Sequence, residues 1–180
     1  QEVHNKILDD TFNPEDYKHE TSDKNNSDGL LKVREDWKYG FINKEGKEIV
    51  KPIYDDAYDF SEGYARVAKK DKHGDYKCGF INKEGKKITK LKYDDANDFS
   101  EGYALVAKEY IDDSDNYKLR RYKYGFINKE GKEITKLKYD DAYDFSEGYA
   151  LVEKDDRWGI IDTNGTEIVE CFLDYYECDK

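Results

Sequence analysis

An internal repeat runs through most of this 180-residue chain. One pattern, Gly followed by Phe or Ile, then Ile, then Asn or Asp, starts at Gly40, Gly79, Gly125 and Gly159. A second pattern, Ser-Glu-Gly-Tyr-Ala, starts at Ser61, Ser100 and Ser146, and a weaker form starts at Ser27. Such repetition is typical of folds in which one supersecondary unit recurs and each copy packs on its neighbours. We therefore expect copies of one two-part unit.

The spacing of the glycines separates a rigid part of the unit from a variable part. The glycine pairs 46/63, 85/102 and 131/148 are each 17 residues apart, whereas the starting glycines are separated by 39, 46 and 34 residues. The excess lies in segments 70–76 and 110–122, which we interpret as surface loops added to the unit. The predicted organisation is an N-terminal tail or cap (1–26) and a repeat domain (27–180). The repeat domain comprises a closing strand (27–36), complete units (37–71, 76–109 and 122–154) and a truncated unit (157–180).

The first half of each unit has the pattern of a β-hairpin. In the last copy, an apolar run ending at Ile161 is followed by Asn164-Gly165 and then by a second apolar run from Ile168. Asn-Gly between two such runs is the strongest short-range hairpin signal. The other copies place a glycine at the same turn, where it supplies the positive φ that a tight turn needs; these are Gly46, Gly85 and Gly131.

The second half of each unit ends in a strand that follows the Ser-Glu-Gly turn. Ala65 and Val67, like their counterparts in the other copies, are apolar and two residues apart, so they are predicted to face the core. The alternate positions, among them Arg66, Leu105 and Leu151, are predicted to face outward. Segment 54–60 fits neither the strand period nor the helix period, and we interpret it as an irregular strand.

Composition limits both the core and the partners. Charged residues make up 41% of the chain and aromatic residues 15%, and methionine is absent, so we expect a thin core rich in tyrosine. The net charge of -11, from interspersed acids and bases, argues against a nucleic acid or an anionic membrane as partner. No segment approaches the roughly 18 apolar residues of a membrane span. Because the chain begins at Gln1 and not at Met, we expect an exported protein (periplasmic, cell-surface or secreted), although a trimmed chain looks the same.

Paired carboxylates recur in the units and are the first candidates for chemistry, since such pairs can bind a metal or act in acid–base catalysis. A catalytic pair is needed once, whereas a residue that stabilises a turn is needed in every copy, so we interpret the pairs as structural. The three histidines lie outside the Ser-Glu-Gly motifs, and the acidic segment 112–116 lacks the Gly and the distal Glu of a calcium loop. The sequence therefore predicts no catalytic residue, no metal site and no cofactor. The pairs are Asp55-Asp56, Asp94-Asp95 and Asp140-Asp141.

Three cysteines, an odd number, allow at most one disulfide bond within the chain. Cys171 and Cys178 are the only close pair, and whether they are bonded stays open. Cys78 occupies a position at which the other copies have an aromatic residue. We therefore expect a small buried side chain there, and not the partner of His73 in a catalytic dyad.

The two half-motifs together resemble the WG (KWG) repeat of bacterial proteins. The unit reads aromatic-Gly-Phe-Ile-Asn-Lys-x-Gly-Lys-x-Ile, then Tyr-Asp-x-Ala, then Phe-Ser-Glu-Gly-x-Ala-x-Val, over roughly residues 27–174. The tryptophan that gives the family its name is present only as Trp158, and the other copies have Tyr39, Cys78 and Tyr124. Proteins of this family are often exported or surface-associated and have no established enzymatic activity, so the resemblance implies a β-repeat scaffold and names no ligand.

These observations predict an all-β fold of tandem antiparallel β-hairpin repeats in an open twisted stack. The chain opens with the closing strand of one unit and ends with the opening half of another. The alternative is therefore a small closed, propeller-like ring of four units.

The function expected of such a chain is a non-enzymatic repeat scaffold that binds a partner protein or a cell-wall or surface glycan. Tyr64, Tyr103 and Tyr149 follow the Ser-Glu-Gly turns and are the candidate binding residues, because tyrosine suits protein interfaces and stacking on sugars. The competing interpretation is that these rings cover neighbouring strands. The alternative function is a structural spacer whose N-terminal segment or long loops do the binding.

Overall fold

A computed structural model describes residues 29–112 and 118–173, with side chains as far as residue 169. The predicted N-terminal tail or cap, most of the acidic segment 112–116 and Cys178 lie outside these described residues. The side chain of Cys171 lies outside them as well, so the Cys171–Cys178 pair is not described. The described chain is all-β and contains no helix, which confirms the predicted fold class. Its strands are β1 (Leu30–Glu35), β2 (Lys38–Asn43), β3 (Glu48–Tyr54), β4 (Asp56–Ser61), β5 (Tyr64–Lys70), β6 (Tyr76–Asn82), β7 (Asp95–Ala96), β8 (Tyr103–Asp112), β9 (Leu119–Asn128), β10 (Asp141–Ala142), β11 (Tyr149–Lys154), β12 (Arg157–Asp162) and β13 (Glu167–Leu173).

The strands form four antiparallel sheets with the orders β1-β2-β3, β4-β5-β6, β7-β8-β9 and β10-β11-β12-β13. Each sheet joins the closing strand of one sequence copy to the opening strand of the next copy, as β5 and β6 do from Tyr64↔Asn82 to Lys70↔Tyr76. No sheet in the described ranges closes into a barrel, which is consistent with an open arrangement of tandem hairpins. The chain divides between residues 91 and 92 into two compact units, with two sheets in each.

Two-residue turns with a left-handed backbone connect the strands at the Ser-Glu-Gly motifs. Glu62 and Gly63 have φ angles of 51° and 87°, as in a type I′ turn, whose twist matches that of the flanking strands. The equivalent residues of the next two motifs have the same geometry, which confirms the predicted turn. The β1–β2 hairpin also has a turn of this kind, at Asp36 and Trp37 with φ angles of 47° and 64°. A side chain as bulky as tryptophan is rare in this conformation.

The glycine that starts each copy is needed because the returning chain passes directly over it. A Cβ atom on Gly40 would lie 2.4 Å from the Val50 carbonyl oxygen. On Gly79 it would lie 2.6 Å from the Lys90 carbonyl oxygen, and the corresponding distance on Gly125 is 2.8 Å. Any side chain would therefore force the two backbone segments apart.

The hairpin predicted for the first half of the unit is complete in the first and last copies, where β2 pairs with β3 and β12 with β13. In the two middle copies the returning segment is irregular, and only isolated bridges such as Ile81↔Lys87 remain. There the backbone N–H of Phe80 donates to the Thr89 Oγ1 atom at 3.0 Å, a bond that Phe126 and Thr135 repeat at 2.9 Å. The threonine side chain thus replaces a ladder hydrogen bond, as short polar side chains can.

The insertion at residues 110–122 mostly lengthens a hairpin, contrary to the prediction of a surface loop. β8 and β9 stay paired from Tyr103↔Asn128 as far as Asp112↔Leu119. The inserted residues include Tyr110, Ile111 and Tyr122, and side chains of this kind favour a pleated surface. This copy therefore presents a long two-stranded ribbon.

Within each compact unit, the hydrophobic core lies between its two sheets. In the first unit, Leu30 and Phe41 of the first sheet pack with Ala65 and Val67 of the second sheet. In each unit a fully buried tyrosine joins the core residues, which agrees with the predicted tyrosine-rich core. The prediction that the Ala and Val of this strand face inward is confirmed.

The core of the second unit shows why the predicted outward position of Leu105 is wrong. Leu105 and Phe126 of the third sheet pack against Ala150 and Val152 of the fourth sheet. The following copy covers this face of the third sheet, so Leu105 is only 6% exposed. The alternation of apolar and polar residues along one strand does not show whether another sheet packs on the outer face of that strand.

Candidate binding surface

The structure places the three predicted binding tyrosines at equivalent positions with different exposure. Each is the first residue of a strand, β5, β8 or β11, directly after a type I′ turn. Tyr64 and Tyr103 are half-buried, whereas Tyr149 is 53% exposed. The three tyrosine side chains are therefore not equally accessible to a partner.

Packing by the following copy explains the burial of Tyr103. Its ring lies 4.5 Å from the ring of Phe145, measured between centroids. Phe145 belongs to the core between the third and fourth sheets, and Tyr103 packs against that core. The contact of Tyr103 therefore supports the competing interpretation, in which these rings cover neighbouring strands.

The face of the fourth sheet that corresponds to the covered face of the third sheet is exposed. Leu151, the counterpart of Leu105, is 37% exposed, and Ile168, the counterpart of the half-buried Ile134, is 53% exposed. Ile160 replaces the fully buried Phe126 and is half-buried. We call the surface formed by Tyr143, Tyr149, Leu151, Ile160 and Ile168 the end face.

A glutamate at the Ser-Glu-Gly turn links the third and fourth sheets. The carboxylate of Glu101 accepts the backbone N–H groups of Glu147 and Gly148, each at 2.8 Å. Glu147 is the counterpart of Glu101 in the last complete turn, and it is exposed beside the end face. The end face thus has an acidic group at the position where the third sheet binds two turn amides.

Ion pairs also connect successive copies in the second unit. Lys92 Nζ lies 2.7 Å from Glu133 Oε1, and Lys138 Nζ lies 2.6 Å from Glu167 Oε1. The hydrogen bond to Glu133 raises the pKa of Lys92, and the hydrogen bond from Lys138 lowers the pKa of Glu167. The ion pairs therefore stabilise the charged forms of Lys92 and Glu167.

The recurring aspartate pairs serve the fold. Asp55 Oδ2 accepts the backbone N–H of Lys70 at 3.0 Å, and its other oxygen contacts Lys38. The hydrogen bond from Lys38 is the main cause of the lowered pKa of Asp55. Asp56 Oδ1 accepts the N–H of Ala57 at 2.9 Å. The same contacts recur in the third copy, where Asp140 and Asp141 make them.

Four segments of the chain match the family model of the WG containing repeat, at residues 39–72, 79–110, 124–158 and 158–177. The chain belongs to the WG-repeat family. No curated protein matches the chain. Among the described residues, no helix is long and apolar enough to cross a membrane.

The WG copies do not share an exposed indole. Trp158, at the position that gives the family its name, is buried, and its ring lies 5.6 Å from that of Tyr143. Cys78, directly before the second WG copy, is buried as predicted, while His73 is exposed in a turn. The other tryptophan, Trp37, is 79% exposed at a hairpin turn outside the motif. The repeat motifs do not mark Trp37 as a candidate residue. Only its position between two strand patterns points to it.

The described residues also form an acidic cleft where the long ribbon meets the third WG copy. A cleft of about 580 Å³ lies between Tyr110 and Arg121 of the ribbon and the turn at Asp155 and Asp156. Burial, and then the neighbouring carboxylates, raise the pKa of Glu153 in this cleft. No cluster in the described chain has the ligands to hold a metal ion. The sequence motifs did not indicate this cleft, because it combines residues of the repeated unit, among them Asp140, Asp141 and Glu153, with ribbon residues that the other copies lack.

Proposed function

We propose that this WG-repeat protein is a non-enzymatic scaffold that binds a partner protein through its end face. One observation carries the proposal: Leu105 is 6% exposed beneath the following copy, whereas its counterpart Leu151 is 37% exposed. The end face combines two exposed tyrosines with aliphatic side chains, and aromatic residues are enriched at protein interfaces. A contiguous exposed apolar patch is typical of an interaction site.

The roles of the recurring polar groups support a scaffold. The Ser-Glu-Gly motif makes type I′ turns, and the aspartate pairs accept backbone hydrogen bonds at strand ends. Glu101 joins two copies. These groups are accounted for by the architecture without assigning them to a reaction.

A second candidate, the structural spacer that binds through a long insertion, is favoured by the acidic cleft. The cleft is lined by six carboxylates and by Arg121 and Lys123, which gives it an excess of negative charge suited to a cationic segment. A glycan partner is a third possibility, favoured by Tyr143 and Tyr149, which are both more than half exposed. Export from the cell stays a prediction of the sequence.

Photo-crosslinking tests the protein-binding function. A benzophenone amino acid replaces Tyr149 in one variant and Ile111 in another, since Ile111 is 62% exposed on the ribbon, outside the end face. After irradiation in the cells that produce the protein, we expect a discrete crosslinked protein from position 149 and none of that mass from position 111. Crosslinks that are identical from both positions, or none from position 149, would refute the proposal.

A further inference from the structure

The face that the fourth sheet presents to the third sheet shows what kind of surface the end face is built to receive. This inner face carries buried aliphatic side chains from two paired strands. They are Ala150 and Val152 on β11 and Ile161 on β12. Phe145 adds a ring that packs edge-on against Phe126, with 4.9 Å between centroids. Small side chains allow the two sheets to approach closely, and the single ring fills the remaining space.

Three residues of the receiving surface of the third sheet are repeated on the fourth sheet. Tyr103, Leu105 and Ile134 of the third sheet correspond to Tyr149, Leu151 and Ile168 of the end face. The acidic group is repeated as well, since Glu147 stands where Glu101 accepts two turn amides. The end face therefore has the apolar surface and the hydrogen-bond acceptor of an internal copy-to-copy interface.

We infer that the end face binds the inner face of a WG-type hairpin from a partner protein. This inference rests on the proposed function and specifies its partner. The partner hairpin presents small apolar side chains to Tyr149 and Leu151, and two amides of a type I′ turn to Glu147. The binding mode continues an interface that the chain already makes between its third and fourth sheets.

A partner protein is favoured over a second molecule of this chain. A second molecule would have to offer an inner face, and the residues of its first sheet that correspond to Ala150, Val152 and Ile161 are Leu31, Val33 and Ile42. Leu31 is half-buried, and Val33 and Ile42 are buried, so most of that face is already covered. A WG-type hairpin of another protein needs no such rearrangement.

The chain itself provides a probe for this interface. A head-to-tail cyclic peptide of residues 147–162 contains β11 and β12, which pair in register from Tyr149↔Asp162 to Lys154↔Arg157. The native turn at Asp155 closes one end, and Glu147-Gly148 closes the other end and supplies the two turn amides. Cyclisation fixes the hairpin before binding, so little affinity is lost to ordering the peptide. Circular dichroism verifies that the free peptide is a hairpin.

Fluorescence anisotropy of the cyclic peptide, labelled on Lys154, measures binding to the full chain. We expect saturable binding to the wild-type protein and at least about a tenfold weaker affinity for Leu151→Glu, or about 1.4 kcal/mol. Glu147→Ala in the protein removes the acceptor for the turn amides and should also weaken binding. Ile111→Glu is the matched control, an equally drastic change of an exposed apolar residue on the ribbon, and it should bind like wild type.

Three results would overturn the inference: no binding of the folded peptide, equal binding to the wild-type and Leu151→Glu proteins, or undiminished binding of a peptide that carries Ala150→Glu. Equal binding to both proteins would mean that the peptide exchanges with a strand inside the chain. Thermal unfolding of each protein variant shows whether the fold is retained. A failed peptide experiment together with a specific crosslink from position 149 would reject the WG-type partner and keep the protein-binding function.

Discussion

Replacing the first residue of the repeat by alanine should destabilise the protein in proportion to how closely the returning chain approaches. In Gly40→Ala the new Cβ meets the Val50 carbonyl oxygen at 2.4 Å and the Pro52 nitrogen at 2.7 Å. Both atoms belong to backbone, so rotating a side chain cannot relieve the contact. In Gly125→Ala the closest atom is the Lys136 carbonyl oxygen at 2.8 Å, in an irregular segment. We expect about 3 kcal/mol of destabilisation for Gly40→Ala and about 1–2 kcal/mol for Gly125→Ala.

Urea unfolding at equilibrium, followed by far-ultraviolet circular dichroism, measures these differences. Gly74→Ala is the control, because Gly74 has a φ of 88° and a Cβ there meets no atom within 4 Å. That variant costs about 1 kcal/mol from its left-handed backbone alone, without a steric contact. The reasoning fails if Gly40→Ala is no more destabilising than Gly125→Ala, or if both stay within about 0.5 kcal/mol of wild type, as ordinary surface substitutions do.

Three further changes test other parts of the structure. Trp37→Gly should raise the free energy of unfolding by about 1 kcal/mol, because glycine suits the second position of a type I′ turn, and a lower melting temperature would contradict this. Thr89→Val leaves the buried N–H of Phe80 without its side-chain acceptor and should cost about 1–3 kcal/mol in urea unfolding; an unchanged midpoint would show that the backbone regains a ladder bond. Glu167→Gln should be less stable than wild type at neutral pH by about 0.5–1 kcal/mol. Because the folded-state pKa of Glu167 is lowered, chiefly by Lys138, this difference should vanish as the pH falls below that pKa, and a difference that persists at low pH would exclude the ion pair as its source.

The repeat and its turns could be predicted from the sequence because they depend on local geometry. The turn glycines do have positive φ, as Gly46 at 80° and Gly165 at 77° show. The irregular returning segment of the two middle copies could not be predicted from the sequence. Thr89 and its counterpart in the first copy, Val50, are both β-branched, and a hydroxyl group in place of a methyl group is the only difference between them. The cleft depends on residues brought together from the ribbon and from the next copy, which the spacing along the chain does not encode.

The candidate surface was predictable only in part. The position of Tyr149 after a Ser-Glu-Gly turn was enough to nominate it, together with Tyr64 and Tyr103. The sequence treats the three as equivalent, whereas exposure depends on whether another copy follows in space, as for Tyr103 beneath Phe145. Burial of Leu105 and exposure of Leu151 differ for the same reason.

The sharing of each sheet between two sequence copies affects how such a gene can change. Suppose that recombination between the nearly identical second and third copies adds or removes one unit of the coding sequence. The junction then falls within matching segments, and each remaining closing strand still meets an opening strand of the right sequence. The number of repeat copies can therefore change while every sheet keeps the strand pairing that it needs.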